Sequence, residues 1–499
     1  MAVPRADRAD IGMLLEGTYP YVSGGVSSWV HQVIRAFPQY RFALVFIGSR
    51  REDYGDMRYE LPPNVVHLET HYIHGEQARP LVREMEGTPG SYEVVHALHE
   101  GFRTRAPSLS GLLNRFMDAR GTDGLDESSF LYSRSAWRYI TEQYRSRSTD
   151  PSFIDYFWTV RMMHMPIWTL ARVADTLPAV RAYHTVSTGY AGFLGAMLKR
   201  RYGRPLILSE HGIYTKERKI DLFQSEWIKD NRDVMLREPA EIGYLKQLWI
   251  RFFESLGRLC YDAADPIVAL YEANRLRQVE DGAEPARTRN VPNGIDVARF
   301  LPARAARPAA PPPVLCLVGR VVPIKDVKTF VRAMRIVVNR LPDAQGWIAG
   351  PTEDRAYAEE CGNLVASLGL GGSVKFLGFQ KMEELLPRIG VMVLSSISEG
   401  LPLVILESYA GGVPVVSTDV GSCRQLIQGL DAEDRALGAS GRVVGIANPE
   451  ALAAAAIALL SNPDEWRSAQ EAGIRRVERY YSQELMIGCY REIYEKALA

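Results

Sequence analysis

Short runs of β-branched and aliphatic residues recur along the chain, separated by longer stretches in which apolar positions return every three or four residues. Runs at 11–15, 42–47, 65–68, 182–186, 206–209 and 266–270 predict strands in the first half. Runs at 314–319, 346–350, 374–378, 391–396 and 413–418 predict them in the second. The apolar runs are nearly continuous rather than alternating, as expected of strands buried on both faces. Between the last two strands of the first half, Leu245, Leu248, Trp249, Phe252, Phe253, Leu256 and Leu259 fall at i, i+3, i+4 spacing and predict an amphipathic helix packed on the sheet. Strands alternating with helices give an α/β fold with parallel sheets.

At 499 residues the chain exceeds what one core supports, so more than one such domain is expected. The stretch 301–313 is rich in Ala and Pro and reads as a linker. Domains are therefore expected at 1–305 and 306–481, with a final helix at 482–499 that packs back on the first. Polar, aromatic and charged sequence at about 75–155 interrupts the first domain and reads as a mainly helical insertion. Lys plus Arg and Asp plus Glu number 59 each, which removes any global field for nucleic acid. Five scattered cysteines fit buried thiols in a reducing compartment. The N-terminus has no apolar h-region, and the apolar run at 451–460 is too short to span a bilayer. A cytoplasmic protein is expected, including one docked to a membrane partner.

Candidate chemistry concentrates where strands end. Ser398-Glu399-Gly400-Leu401-Pro402-Leu403 follows a buried strand and opens a helix that runs past Glu407 to Gly411-Gly412. Pro402 suits a first turn, and the helix amides with their dipole form an anion site at Gly400, Leu401 and Leu403. Carboxylates at Glu399 and Glu407 suit a bidentate grip on sugar hydroxyls. Gly319 ends another strand, so Arg320 and Lys325 leave the same edge and can neutralise a diphosphate leaving group. In the first half, Gly24 and Gly25 open a helix and allow close approach of a ligand to the backbone. His211, in Ser209-Glu210-His211-Gly212, and His184, in Tyr183-His184-Thr185, both stand at strand ends, where α/β sheets bind ligands. No Asp-x-Asp pair or cysteine cluster occurs, so no metal site is expected.

Glu399 and Glu407, with Gly-Leu-Pro between them, resemble the donor-site motif of the GT4 glycosyltransferases. Pro292-Asn293-Gly294-Ile295-Asp296, Val318-Gly319-Arg320 with Lys325, and Gly412-Val413-Pro414 with Gly421 fall in that family's order. The resemblance implies the GT-B fold, two Rossmann-like domains whose parallel sheets face a deep cleft. It also implies transfer from a nucleoside diphosphate sugar with retention. It assigns the ribose hydroxyls to Glu407, the donor sugar to Glu399, the diphosphate to Arg320 and Lys325, the base to the vicinity of Phe379, and an active-site role to His211. The opening at 14–30 and the insertion resemble a branch serving bacterial exopolysaccharide synthesis. That branch implies a UDP-sugar donor, a growing polysaccharide acceptor and inner-membrane synthase partners, with no metal cofactor. A nucleotide-sugar epimerase and a non-catalytic synthase subunit share the scaffold and stay open. A nicotinamide dehydrogenase lacks its Gly-x-Gly-x-x-Gly turn.

Overall fold

The computed structural model describes residues 4–74, 85–87, 90–104, 109–120, 125–233 and 241–499. Parts of the expected insertion, at 75–84, 88–89, 105–108 and 121–124, lie outside the described residues, as does 234–240. The chain forms two compact units, residues 1–290 with 492–499, and residues 291–491.

The first unit is built on a seven-stranded parallel sheet: β1 (Ile11–Glu16), β2 (Phe42–Gly48), β3 (Val65–Tyr72), β4 (Ala182–Thr185), β5 (Leu206–Glu210), β6 (Ile267–Ala269) and β7 (Thr288–Asn290). Their order across the sheet is β3-β2-β1-β4-β5-β6-β7. The six expected strands are all present. β7, with the sequence Thr-Arg-Asn, had no apolar signal because it lies at the sheet edge and is only half-buried. The amphipathic helix Tyr244–Ala263 buries Leu245, Trp249, Phe252, Phe253, Leu256 and Leu259 in the core. The described part of the insertion is helical: Ser91–Thr104, Leu109–Ala119, Glu127–Tyr132 and Arg134–Arg147, followed by the long helix Phe153–Thr176.

The second unit carries six parallel strands: β8 (Val314–Val318), β9 (Gln345–Ala349), β10 (Val374–Gly378), β11 (Val391–Leu394), β12 (Val415–Thr418) and β13 (Gly441–Val444), ordered β10-β9-β8-β11-β12-β13. β13 escaped the sequence pattern for the same reason as β7, being a short edge strand containing an arginine. Arg476 is fully buried here, and its Nε meets Asp434 Oδ1 at 2.6 Å. Its remaining N–H groups reach the carbonyls of Ile427, Asp434 and Gly438 and the Ser440 hydroxyl, so all five donors are matched. A buried charge survives only with such pairing.

The Pro/Ala-rich stretch does not behave as the expected linker. The units divide ahead of it, between Asn290 and Val291. Residues Leu301–Ala305 form a short helix, and the arginines around it are pinned to the second unit. Arg304 donates to the Ala410 carbonyl at 2.9 Å, and Arg307 to the Leu386 and Ile389 carbonyls at 2.5 and 2.9 Å. The prolines resist long helix, but the intervening arginines supply the contacts that fix the segment. Likewise the terminal helix Gln483–Leu498 is shared, with only Glu492–Ala499 assigned to the first unit. Among the described residues no helix is long and apolar enough to cross a membrane. All five cysteines are free thiols, four of them buried.

Candidate functional site

In each sheet the strand order reverses once, between β1 and β4 in the first unit and between β8 and β11 in the second. Loops leaving the carboxyl ends of those strands diverge there, and such switch points are where open α/β sheets bind ligands.

In the second unit the loops after β8 and β11 carry the expected residues, and they are stitched together. The Ile397 amide donates to the Ile324 carbonyl at 2.9 Å, and the Ser395 hydroxyl to the carbonyls of Lys325 and Asp326 at 2.9 and 3.1 Å. This brings Lys325 Nζ to Glu399 Oε1 at 2.5 Å, with both side chains largely buried. The Ser396 hydroxyl donates to the same oxygen at 2.7 Å. Asp326 caps the helix Val327–Arg340 by accepting from the Thr329 amide. The turn 399–400 is held from below by Ser422, whose amide and hydroxyl both donate to the Gly400 carbonyl at 3.0 Å. Gly421 adopts φ +53°, and a Cβ there would run into the carbonyl oxygens of Glu399 and Gly400. Gly421→Ala is therefore expected to destabilise the second unit by about 1–3 kcal/mol and to loosen this turn, as read by thermal unfolding and by faster amide exchange around it.

The helix that follows is Leu403–Ala410, with Pro402 at its N-cap and no side chain capping its first amides. Leu401 is buried, while Gly400 and Leu403 are half-buried. Glu407 lies in the last turn, about one turn from the helix start. Burial pushes its carboxyl up to about 7, with the Arg299 charge opposing the shift and Glu383 reinforcing it. Arg299 itself is ion-paired to Glu383. Gly319 packs against the stem of Lys325. Arg320 stands apart from the expected pairing: its guanidinium meets Glu353 at 2.9 Å, and both side chains are about half exposed. Phe379, in the turn after β10, is 77% exposed.

In the first unit, His211 directly follows β5. The preceding Glu210 is buried and accepts from Thr188, Tyr261, Gln278 and the Tyr214 amide at 2.8–3.2 Å, which fixes the strand end. His211 is 9% exposed, packs edge-on against Trp29 at 4.7 Å between ring centroids, and its Nε2 has no hydrogen-bond partner. Burial lowers its pKa to about 4, so it is neutral at pH 7. His184 contrasts with it. It is completely buried, with Nδ1 bonded to the Tyr494 hydroxyl and Nε2 to the Ser209 hydroxyl, each at 2.8 Å. No ring nitrogen is left for a donor, which corrects the expected binding role. Gly24 is the N-cap of the helix Gly25–Ala36, and neither glycine would crowd a neighbour if it carried a Cβ. Both are exposed, so the turn leaves room for a ligand without steric demand for glycine.

Two features were missed from sequence. His67, Glu69 and His71 share one face of β3, and both imidazoles meet the Glu69 carboxylate, at 3.0 and 2.9 Å. Among the described residues no group of three such side chains is arranged to hold a metal. The other is Glu16, at the end of β1, which accepts from the Tyr214 hydroxyl at 2.8 Å and the Ala191 amide at 3.1 Å. It borders a cavity of about 680 Å³ that also reaches His211.

Two Rossmann-like units with parallel sheets of seven and six strands are the GT-B class of fold. The chain belongs to the family described as a domain of unknown function, DUF3492, which its residues 9–286 match. Residues 312–462 match the family described as glycosyl transferases group 1. The D-inositol 3-phosphate glycosyltransferase of Kineococcus radiotolerans is 31% identical over 255 residues, covering 48% of this chain and 58% of that protein. The MMP alpha-(1->4)-mannosyltransferase of Mycolicibacterium hassiacum is 26% identical over 310 residues, 61% of this chain and 68% of that one. This chain thus spans little more than half the length of the first of these relatives. HepE of Anabaena, crystallised with UDP, superposes with a TM-score of 0.60 at 13% identity, covering 98% of this chain and 100% of that one, a likeness of fold.

Proposed function

We propose that the protein transfers a sugar from a UDP-sugar to a glycan hydroxyl, with retention at the anomeric carbon and without a metal ion. The observation that carries this reading is the Lys325–Glu399 pair at the β8/β11 switch point, next to the uncapped start of the helix Leu403–Ala410. A lysine held there neutralises charge that develops on a departing diphosphate, and the helix amides add to it. Arg320 supplies a second cation once it exchanges Glu353 for phosphate. Ionised Glu407 accepts from the ribose hydroxyls, Phe379 offers a face to the base, and neutral His211 hydrogen-bonds the sugar undergoing transfer.

In the transfer, the bond from the anomeric carbon to the diphosphate oxygen breaks and a bond to the acceptor oxygen forms on the same face. The acceptor proton passes to the leaving phosphate, so no protein nucleophile is required. The relatives with transferase names and the UDP-bound neighbour of like fold support this class. For the pathway, we propose a role like that of PelF, the cytoplasmic glycosyltransferase of bacterial Pel exopolysaccharide synthesis. The support is the resemblance at 14–30, with a growing polysaccharide as acceptor and inner-membrane synthase components as partners.

The test is calorimetric titration with UDP, GDP and ADP, with and without EDTA, followed by incubation with UDP-sugars and glycan acceptors. Tight binding of UDP alone, unchanged by EDTA, and an elongated product with retained configuration are expected. Binding lost in EDTA would remove the metal-free reading, and an epimerised donor formed without acceptor would replace transfer by epimerisation. His211→Ala is expected to lower kcat about tenfold or more while leaving UDP affinity within a factor of two, as measured by steady-state kinetics and calorimetry.

A further inference from the structure

A second cavity lies among the helices Ser91–Thr104, Arg134–Arg147, Phe153–Thr176 and Tyr244–Ala263, and it shares no wall residue with the one that reaches His211. Its inner chamber, of about 90 Å³, is set among Phe102, Ile140, Val160, Met163, Leu248 and Phe252. The wider outer part, of about 500 Å³, adjoins it, and Arg103, Arg147, Tyr244 and Arg251 line both.

The chamber and its rim ask for opposite chemistries. Two histidines line the chamber, but their ring nitrogens are matched. His164 Nδ1 donates to the Val160 carbonyl at 2.5 Å, so its Nε2 accepts from His99 Nε2, and His99 Nδ1 accepts from the Tyr139 hydroxyl at 3.1 Å. Burial lowers both imidazole pKa values, that of His164 to about 4, so the chain of bonds is neutral at pH 7. Nothing in this arrangement calls for a polar ligand, and the aliphatic and aromatic walls suit an apolar group. A cavity of about 150 Å³ holds benzene, so this chamber takes a smaller group, of four or five carbons on the order of its volume.

The rim is cationic. Arg103 and Arg147 both pair with Glu100, and Glu241, a carboxylate of the outer part, is engaged by Arg232 at 2.7 Å. Arg251 has no acidic partner among the described residues. Arg103 and Arg147 stand in the last turns of their own helices, where a cation complements the dipole. Arg251 lies in the middle of Tyr244–Ala263, where the dipole gives it no such role. All three guanidiniums converge on the Tyr244 hydroxyl: burial pushes its pKa up, while Arg147, Arg251 and Arg103 oppose the shift. The start of the same helix has no side-chain cap and no acidic residue in its first turn, which adds to the positive field there. Three guanidiniums and a hydroxyl offer more donors than the two oxygens of a carboxylate can match, whereas a phosphate monoester brings three strong acceptors and up to two charges.

We infer that this cavity binds a phosphate monoester carrying a short apolar substituent, with Arg103, Arg147, Arg251 and the Tyr244 hydroxyl holding the phosphate and the chamber holding the substituent. The site belongs to the helical insertion and uses none of the residues to which sugar transfer is assigned, so it stands independently of the transferase reading.

Calorimetry of the full chain with butyl phosphate, inorganic phosphate, pentanoate and butanol tests the inference. Saturable binding of butyl phosphate is expected, with inorganic phosphate and pentanoate each weaker by about tenfold or more, and no binding of butanol. Arg251→Gln should weaken butyl phosphate binding about tenfold or more, and Tyr244→Phe, which keeps the ring and removes only the hydroxyl, about three- to fivefold. Thermal unfolding of both variants should match the parent, which separates loss of the site from loss of the fold. Lys325→Ala should bind butyl phosphate as the parent does, whereas loss of binding there would place the phosphate in the second unit and overturn the proposal. Absence of butyl phosphate binding would also overturn it, as would equal affinity for inorganic phosphate or pentanoate, or parent-like affinity in Arg251→Gln.

Discussion

Replacing Lys325 with alanine should lower kcat with a UDP-sugar by about 10²–10³-fold, the usual loss when a preorganised stabiliser of developing charge is removed. The effect has two sources in the geometry. The ammonium is largely buried and fixed by Glu399 at 2.5 Å, so it needs no reorganisation when the diphosphate departs. Its removal also leaves the Glu399 carboxylate with only the Ser396 hydroxyl, adding an unpaired negative charge beside the leaving group. Lys325→Arg keeps the charge but not the compact ammonium, and should recover only part of the rate. Double replacement of Lys325 and Glu399 by Ala and Gln should cost less than the sum of the two single changes, because the pair is in direct contact. Steady-state kinetics on the four variants, with UDP affinity measured alongside, checks both expectations. Rates in Lys325→Ala equal to the parent would remove the lysine from the reaction.

Glu407→Gln should move affinity and stability in opposite directions. The ionised carboxylate is the stronger acceptor for ribose hydroxyls, so the amide should bind UDP about 10–100-fold more weakly at pH 8. In the parent protein the carboxyl titrates near 7, so UDP affinity should fall as pH drops from 8 to 6 and the group takes up its proton. In the variant that slope should vanish. The stability sign runs the other way. A carboxyl whose folded pKa is raised from 4.5 to about 7 binds its proton more tightly folded than unfolded. Its contribution to stability is present at acidic pH and is lost as pH rises through that window. The glutamine variant escapes the loss, and at pH 8 it should be more stable than the parent by up to about 3 kcal/mol. Denaturant unfolding at pH 5 and pH 8 reads the difference directly: near-equal stability at pH 5 and a clear gain at pH 8. A loss at both pH values would mean that the carboxylate is held by contacts rather than strained by burial.

Much of this architecture was legible in the sequence because central parallel strands are apolar on both faces. Phe42–Gly48 and Val391–Leu394 are fully buried and stand out in any window. The edge strands Thr288–Asn290 and Gly441–Val444 do not, since one side is open and their side chains need not be apolar. Placement after a strand was equally legible for Lys325, Glu399 and His211. What their atoms bond to was not, because those bonds link distant parts of the chain. Lys325 and Glu399 are 74 residues apart. The partner that takes Nδ1 of His184 is 310 residues away, so two strand-end histidines that look alike in sequence differ completely in the fold. The apolar spacing of Trp249 and Phe253 read as helix packing, which is correct but conceals that their unit also walls a cavity.

The anchored Pro/Ala-rich stretch bears on how the halves can be separated. A cut at the apparent seam near 305 would produce a second unit without Arg299, whose charge counteracts the burial of Glu407, and without Arg304, which holds the carbonyl of Ala410 at the end of that same helix. A fragment begun at Val291 keeps both. What reads as a linker in the amino-acid sequence is therefore part of the brace behind the helix Leu403–Ala410, and its proline content stiffens that brace.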